Sequence, residues 1–137
     1  MKLENNWRQK SIENLEGENW GEVPADESSI VIRLMKLRKI PLEEFSIDDI
    51  RFMIGQEIGL RYLLVLAIEI LKKNLLAEGN YYEGDLLNAI FHIKPQNWEG
   101  NHEHWIQIDE LIKNRLSELR QYRPRLDIDN FYLAKTP

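Results

Sequence analysis

Apolar residues recur every three or four positions along most of this chain, the period of helices with one face in a core. Ile30, Leu34 and Leu37, flanked by Val31 and Met35, predict a helix over about 28–39, with Ser28 at its start. Arg33, Lys36, Arg38 and Lys39 fall on its outer side or in its last turn, where cations suit the dipole. Pro41 stops it. Ser46-Ile47-Asp48-Asp49 resembles a capping box, and Ile47, Ile50 and Ile54 stripe the helix that follows. From about Leu60 to Lys73 nearly every face is apolar, the mark of a helix surrounded by others. Arg61 is its polar exception near the start, and Glu69 and Lys73 sit four apart on it.

Residues 77–84 read as a loop. Asp85 is placed to cap a short helix carrying Leu86, Leu87, Ile90 and Phe91, ended by Pro95. A turn-rich stretch over 96–101 leads to a long helix over about 103–119. Trp105, Ile108, Leu111, Ile112, Leu116 and Leu119 line one face of it, and Asp109 and Lys113 form an i,i+4 pair on the other. Leu126-Asp127-Ile128-Asp129 alternates like a short edge strand. Phe131, Tyr132 and Leu133 are expected to pack the tail. Ser11 and Gly17 bracket a single helical turn in an otherwise polar beginning. The expected fold is therefore all-α: a compact multi-helix bundle around the central apolar helix at about 60–73. It forms one domain over 1–137, with irregular arms at 1–27 and 121–137.

Composition narrows the function. With 137 residues and 43% hydrophobic content, one core needs no crosslinks, and there is no cysteine to form them. The opening MKLENNWRQK lacks the apolar stretch of a secretory signal. The run Tyr62–Ile68 is far shorter than the roughly 20 residues that span a bilayer. A cytoplasmic, membrane-free protein is expected. The net charge of -5 repels phosphates and favours a basic protein partner.

Candidate chemistry is sparse. His102 and His104 point about 200° apart if helical and cannot share a metal there; no metal or other cofactor is expected. His92 suits a helix-end hydrogen bond. Ser11, Ser28, Ser29 and Ser46 sit at helix starts, where capping accounts for them. Gly55 and Gly59 frame no phosphate loop and read as a place where two helices meet closely and turn. The acidic pairs Glu43–Glu44, Asp48–Asp49 and Glu83 with Asp85 fit solvated faces and helix starts better than acid–base catalysis. A small helical enzyme using a carboxylate pair is therefore the lesser alternative. Lys113, Arg115, Arg120, Arg123 and Arg125, with Tyr122 among them, are the strongest nucleic-acid candidate, which makes a nucleic-acid-binding regulator a second alternative. Acids at 118, 127 and 129 interrupt them. Trp105 is periodic with the core; Trp7, Trp20 and Trp98 are expected to clamp loops.

Four ordered segments carry a resemblance. They are Ser11-Ile12-Glu13-Asn14-Leu15-Glu16-Gly17 with Trp20, and Met35–Leu42 with Ile47-Asp48-Asp49-Ile50-Arg51. Next come Ile54-Gly55-Gln56-Glu57-Ile58-Gly59-Leu60 with Tyr62-Leu63, and the run Leu76–Leu87. Together they resemble the immunity proteins of bacterial contact-dependent growth inhibition systems, over about residues 11–92. Where that group has an apolar residue or proline near position 61, this chain has arginine. The resemblance implies a non-enzymatic inhibitor that binds and neutralises the toxic C-terminal domain of a delivered effector, often a nuclease. It would do so stoichiometrically, with that domain as its protein partner and no nucleic acid or membrane. Charge and loop position single out Glu43, Glu44, Asp48, Asp49, Tyr81, Tyr82 and Glu83 as candidate partner-binding residues.

Overall fold

The computed structural model describes residues 3–122 and 126–134. Among them there are helices and turns and no strand, the all-α class that the periodicity predicts. The chain divides into two compact units, Met1–Phe45 and Ser46–Pro137.

In the first unit a 3-10 turn, Trp7–Gln9, precedes α1 (Ile12–Glu16), α2 (Ser29–Leu37) and a second 3-10 turn, Leu42–Glu44. The two 3-10 turns adjoin, and the Leu42 amide donates to the Lys10 carbonyl. The Ser11 hydroxyl accepts the Asn14 amide, and Gly17 closes α1 in the left-handed region at φ 67°, so the single turn has the caps its sequence advertised. Ser28 caps α2 through the Val31 amide, while Ser29 is the first residue inside it. Arg38, expected on the outer side or in the last turn, lies at the end of α2 and is only 1% exposed. Its guanidinium donates to the Glu18 carbonyl (3.1 Å) and the Glu16 carboxylate (2.8 Å), and the Trp20 ring covers it at 3.9 Å. A buried cation needs such a shell. Trp20 thus clamps its loop through a charge, and it remains 43% exposed.

The second unit contains α3 (Ile47–Gly55), α4 (Leu60–Lys73), α5 (Asp85–Phe91), α6 (Pro95–Trp98), α7 (His102–Ile112), α8 (Leu116–Arg120) and α9 (Ile128–Leu133). The capping box that opens α3 is complete: Ser46 accepts the Asp49 amide and Asp49 accepts the Ser46 amide, each at 3.0 Å. Gly59, at φ 69°, turns the chain into α4. Tyr62, Leu63, Leu64, Leu66, Ala67, Ile68 and Leu71 bury most of the circumference of α4, as its composition predicts. It packs on α3 and α7, α3 also packs on α5, and α5 packs on α9. Trp98, expected as a loop clamp, is wholly buried, as is Phe131. Phe131 stacks on Trp105 at 4.7 Å, nearly parallel.

Several local expectations fail, each for a visible reason. The helix predicted over 103–119 breaks at residues 113–115. Lys113, Asn114 and Arg115 are all exposed, so no core contact holds the turn together there, and asparagine favours non-helical backbone. The expected Asp109–Lys113 pair is replaced. Lys113 lies on Glu110 (2.9 Å), and Asp109 accepts the Tyr132 hydroxyl (2.7 Å). The edge strand over 126–129 is instead the entry to α9. Asp127 caps it through the Asn130 amide, and Leu126 and Ile128 both go into the core. Phe131 packs the tail as expected, but Leu133 is 82% exposed. Helix α5 ends at Phe91, before Pro95, and Pro95 opens α6 at the position where a missing amide costs nothing.

Candidate functional site

Asp85 was expected to cap α5. It is instead the first residue inside that helix, after Gly84, and its carboxylate turns back to the preceding loop. Oδ1 accepts the Gly79 amide at 2.6 Å; Oδ2 accepts those of Tyr81 (3.0 Å) and Tyr82 (3.4 Å). A second buried carboxylate, Asp48 in the first turn of α3, takes the other side of the loop. It accepts the Asn80 amide at 2.8 Å and the Asn80 side-chain amide at 2.9 Å. Two anions at helix N-termini therefore grip one loop by its main chain, with both helix dipoles favouring their charge.

Arg51 lies one turn along α3 from Asp48 and completes the cluster. It donates to both Asp48 oxygens (2.6 and 3.2 Å), and its Nε lies 4.0 Å from Asp85. Its outer face carries the Tyr81 ring, 4.6 Å from the guanidinium carbon. Tyr81 is thus 70% exposed yet fixed at both ends, by its amide on Asp85 and by its ring on Arg51. Tyr82 is half-buried, and its hydroxyl accepts the Asn88 side-chain amide at 2.8 Å. Glu83 is exposed and accepts the Tyr122 hydroxyl at 3.3 Å.

Beside this loop opens a cleft of about 210 Å³ between α3 and α5, lined by Arg51, Gly55, Tyr81, Asp85, Ala89 and His92 among others. His92 Nδ1 lies 2.9 Å from the Asn88 carbonyl, the helix-end contact its position suggested, and Nε2 lies 3.6 Å from Asp127.

The seven residues singled out from sequence do different things. Tyr81, Tyr82, Glu83 and Asp48 come together at this loop. Asp48 is buried beneath it, and Asp49 is occupied in the capping box. Glu43 and Glu44 are exposed on the 3-10 turn Leu42–Glu44 of the first unit. Sequence reasoning missed Arg51, Gly55, Asp85 and His92 as members of the site. The i,i+3 spacing of Asp48 and Arg51 was the one local signal for any of them.

Other candidate chemistry is otherwise engaged. Arg115 is bidentate on Glu118 (2.8 and 2.9 Å), and Arg120 lies 3.8 Å from Asp129. Arg123 and Arg125 lie outside the described residues. His102 and His104 both fall in α7, and burial pushes the His104 imidazole below its ordinary pKa. No three potential ligands converge on a metal position among the described residues. None of the described helices is long and apolar enough to cross a membrane.

The sequence profile of the CDI immunity proteins matches residues 14–108, which include the loop, its two gripping carboxylates, Arg51 and the cleft. No curated protein matches the chain.

Proposed function

This chain belongs to the family of CDI immunity proteins, and from that premise we propose that it neutralises a toxin by stoichiometric binding to the effector's C-terminal toxin domain. That domain is a basic nuclease, met in the cytoplasm. The family match over most of the chain carries the reading. Charge supports the choice of partner, since a net charge of -5 steers a basic domain toward this protein and disfavours nucleic acid.

The contact surface centres on the gripped loop. Tyr81 is a large amphipathic side chain displayed at little further entropic cost, the character of an interface anchor. Glu83 beside it supplies exposed negative charge; Glu43 and Glu44 do so on the first unit by itself. Asp48 acts from behind, holding the backbone that presents it, while Asp49 fixes the start of α3 and Tyr82 bonds Asn88.

The test is co-purification and titration with the toxin domain of the effector encoded beside this chain. A one-to-one complex that abolishes toxin activity is expected. Tyr81→Ala weakens it by about 2 kcal/mol, roughly thirtyfold, and Glu83→Lys slows association most at low salt. No complex with the wild-type chain overturns the reading.

A further inference from the structure

Gly55 is the last residue of α3, in ordinary helical backbone, and a Cβ built on it meets nothing within 4 Å. The turn between α3 and α4 is made by Gly59 at φ 69°, so it does not account for glycine at 55. Neither backbone geometry nor packing requires glycine at this position, and glycine costs a helix about 1 kcal/mol relative to alanine. What the missing side chain does is leave the cleft beside Tyr81 open, together with Ala89 on α5.

The chemistry around that opening has a sign. Asp85 lines it, Asp48 lies directly behind Arg51, Glu83 follows Tyr82, and Asp127 faces His92. Two carboxylates, Asp48 and Asp85, thus flank the one guanidinium, and Asp127 stands behind the lining residue His92. Arg51 has its charge spent on Asp48 and its face on Tyr81. The tyrosines add aromatic surface, on which a planar cation stacks. A volume near 210 Å³ suits one long side chain rather than a peptide segment.

We propose that this cleft is a socket for a single basic side chain of the partner, an arginine above all, with its guanidinium against the tyrosines and its charge answered by the surrounding carboxylates. The proposal rests on the toxin-binding reading and adds to it the place and chemistry of the central contact.

Two measurements decide it. In the first, acetyl-arginine amide, acetyl-glutamine amide and acetyl-glutamate amide are titrated into the isotope-labelled full chain and followed by amide shifts at Gly55, Asn88 and Ala89. The arginine compound alone is expected to shift them, and Gly55→Leu, whose Cβ meets nothing within 4 Å, is expected to abolish the effect while keeping the fold. Equal shifts from all three compounds, a preference for glutamate, or no shift overturns the socket. In the second, Gly55→Leu is titrated with the neighbouring toxin domain, where at least a tenfold loss of affinity is expected. Wild-type-like binding by Gly55→Leu overturns the proposal while leaving toxin binding intact. Failure of the wild-type chain to bind the toxin removes the functional reading and the toxin as donor of that side chain; the arginine titration then still decides the socket.

Discussion

Asp48 and Gly79 stand so close that a Cβ on residue 79 would lie 2.6 Å from Asp48 Oδ1. That carboxylate cannot swing away cheaply, because Arg51 and Asn80 hold both its oxygens. Gly79→Ala is therefore expected to destabilise the fold by about 1–3 kcal/mol, the usual cost of overpacking. Denaturant titration measures this, and Gly55→Ala, with open space around it, is the control that loses nothing.

Asp85 accepts three loop amides, those of Gly79, Tyr81 and Tyr82. Asp85→Ala leaves those donors without their acceptor in a part-buried site, at a cost of about 3 kcal/mol. The same change frees the backbone of Tyr81. Hydrogen exchange at residues 79–82 is expected to accelerate more than exchange in α4, and uniform acceleration throughout the second unit would count against a local grip.

Phe131 is wholly buried between Trp98, Trp105 and Phe91, with ring centroids 5.9, 4.7 and 5.4 Å away. Truncation to alanine is expected to cost about 3–5 kcal/mol. The readout is specific, since two of these neighbours are tryptophans: their emission should shift to the red in the folded variant. An unchanged spectrum would mean that α9 does not cover them.

The His104 imidazole is half-buried, and desolvation lowers its pKa from 6.5, with Glu103 opposing only in part. A base whose folded pKa lies below its free value binds fewer protons when folded than when unfolded. Stability from this group is thus complete above pH 6.5, declines as pH falls through that value, and levels off below the folded pKa. His104→Leu is expected to flatten the stability curve between about pH 7 and pH 5 relative to wild type. Parallel curves for the two proteins would refute the assignment.

What the sequence disclosed and what it hid divide by distance along the chain. The caps at Ser11, Ser28 and Ser46 and the burial of α4 are set by residues within a few positions, so periodicity and capping rules reach them. Asp85 looks the same locally whether it caps its own helix or turns back on a loop; only the loop's placement decides. Leu126 and Ile128 alternate in a way that fits a strand equally well as a helix entrance, and Asp127 with Asn130 was the overlooked capping signal. In the site, Tyr81 and Glu83 were legible as loop residues. Arg51, Gly55 and His92 join them only through the packing of α3 against α5, which no short-range pattern encodes. The burial of Arg38 is not legible locally, because helical spacing says where a side chain starts but not that Glu16, Glu18 and Trp20 will enclose its end.

The grip on the 79–82 loop seizes amide groups, which every residue but proline possesses, along with one asparagine side chain. What the loop shows outward is thereby uncoupled from what fastens it. Residues 81 and 83 can be exchanged while the anchorage persists, so the displayed side chains can be rewritten in a few steps without rebuilding the scaffold beneath.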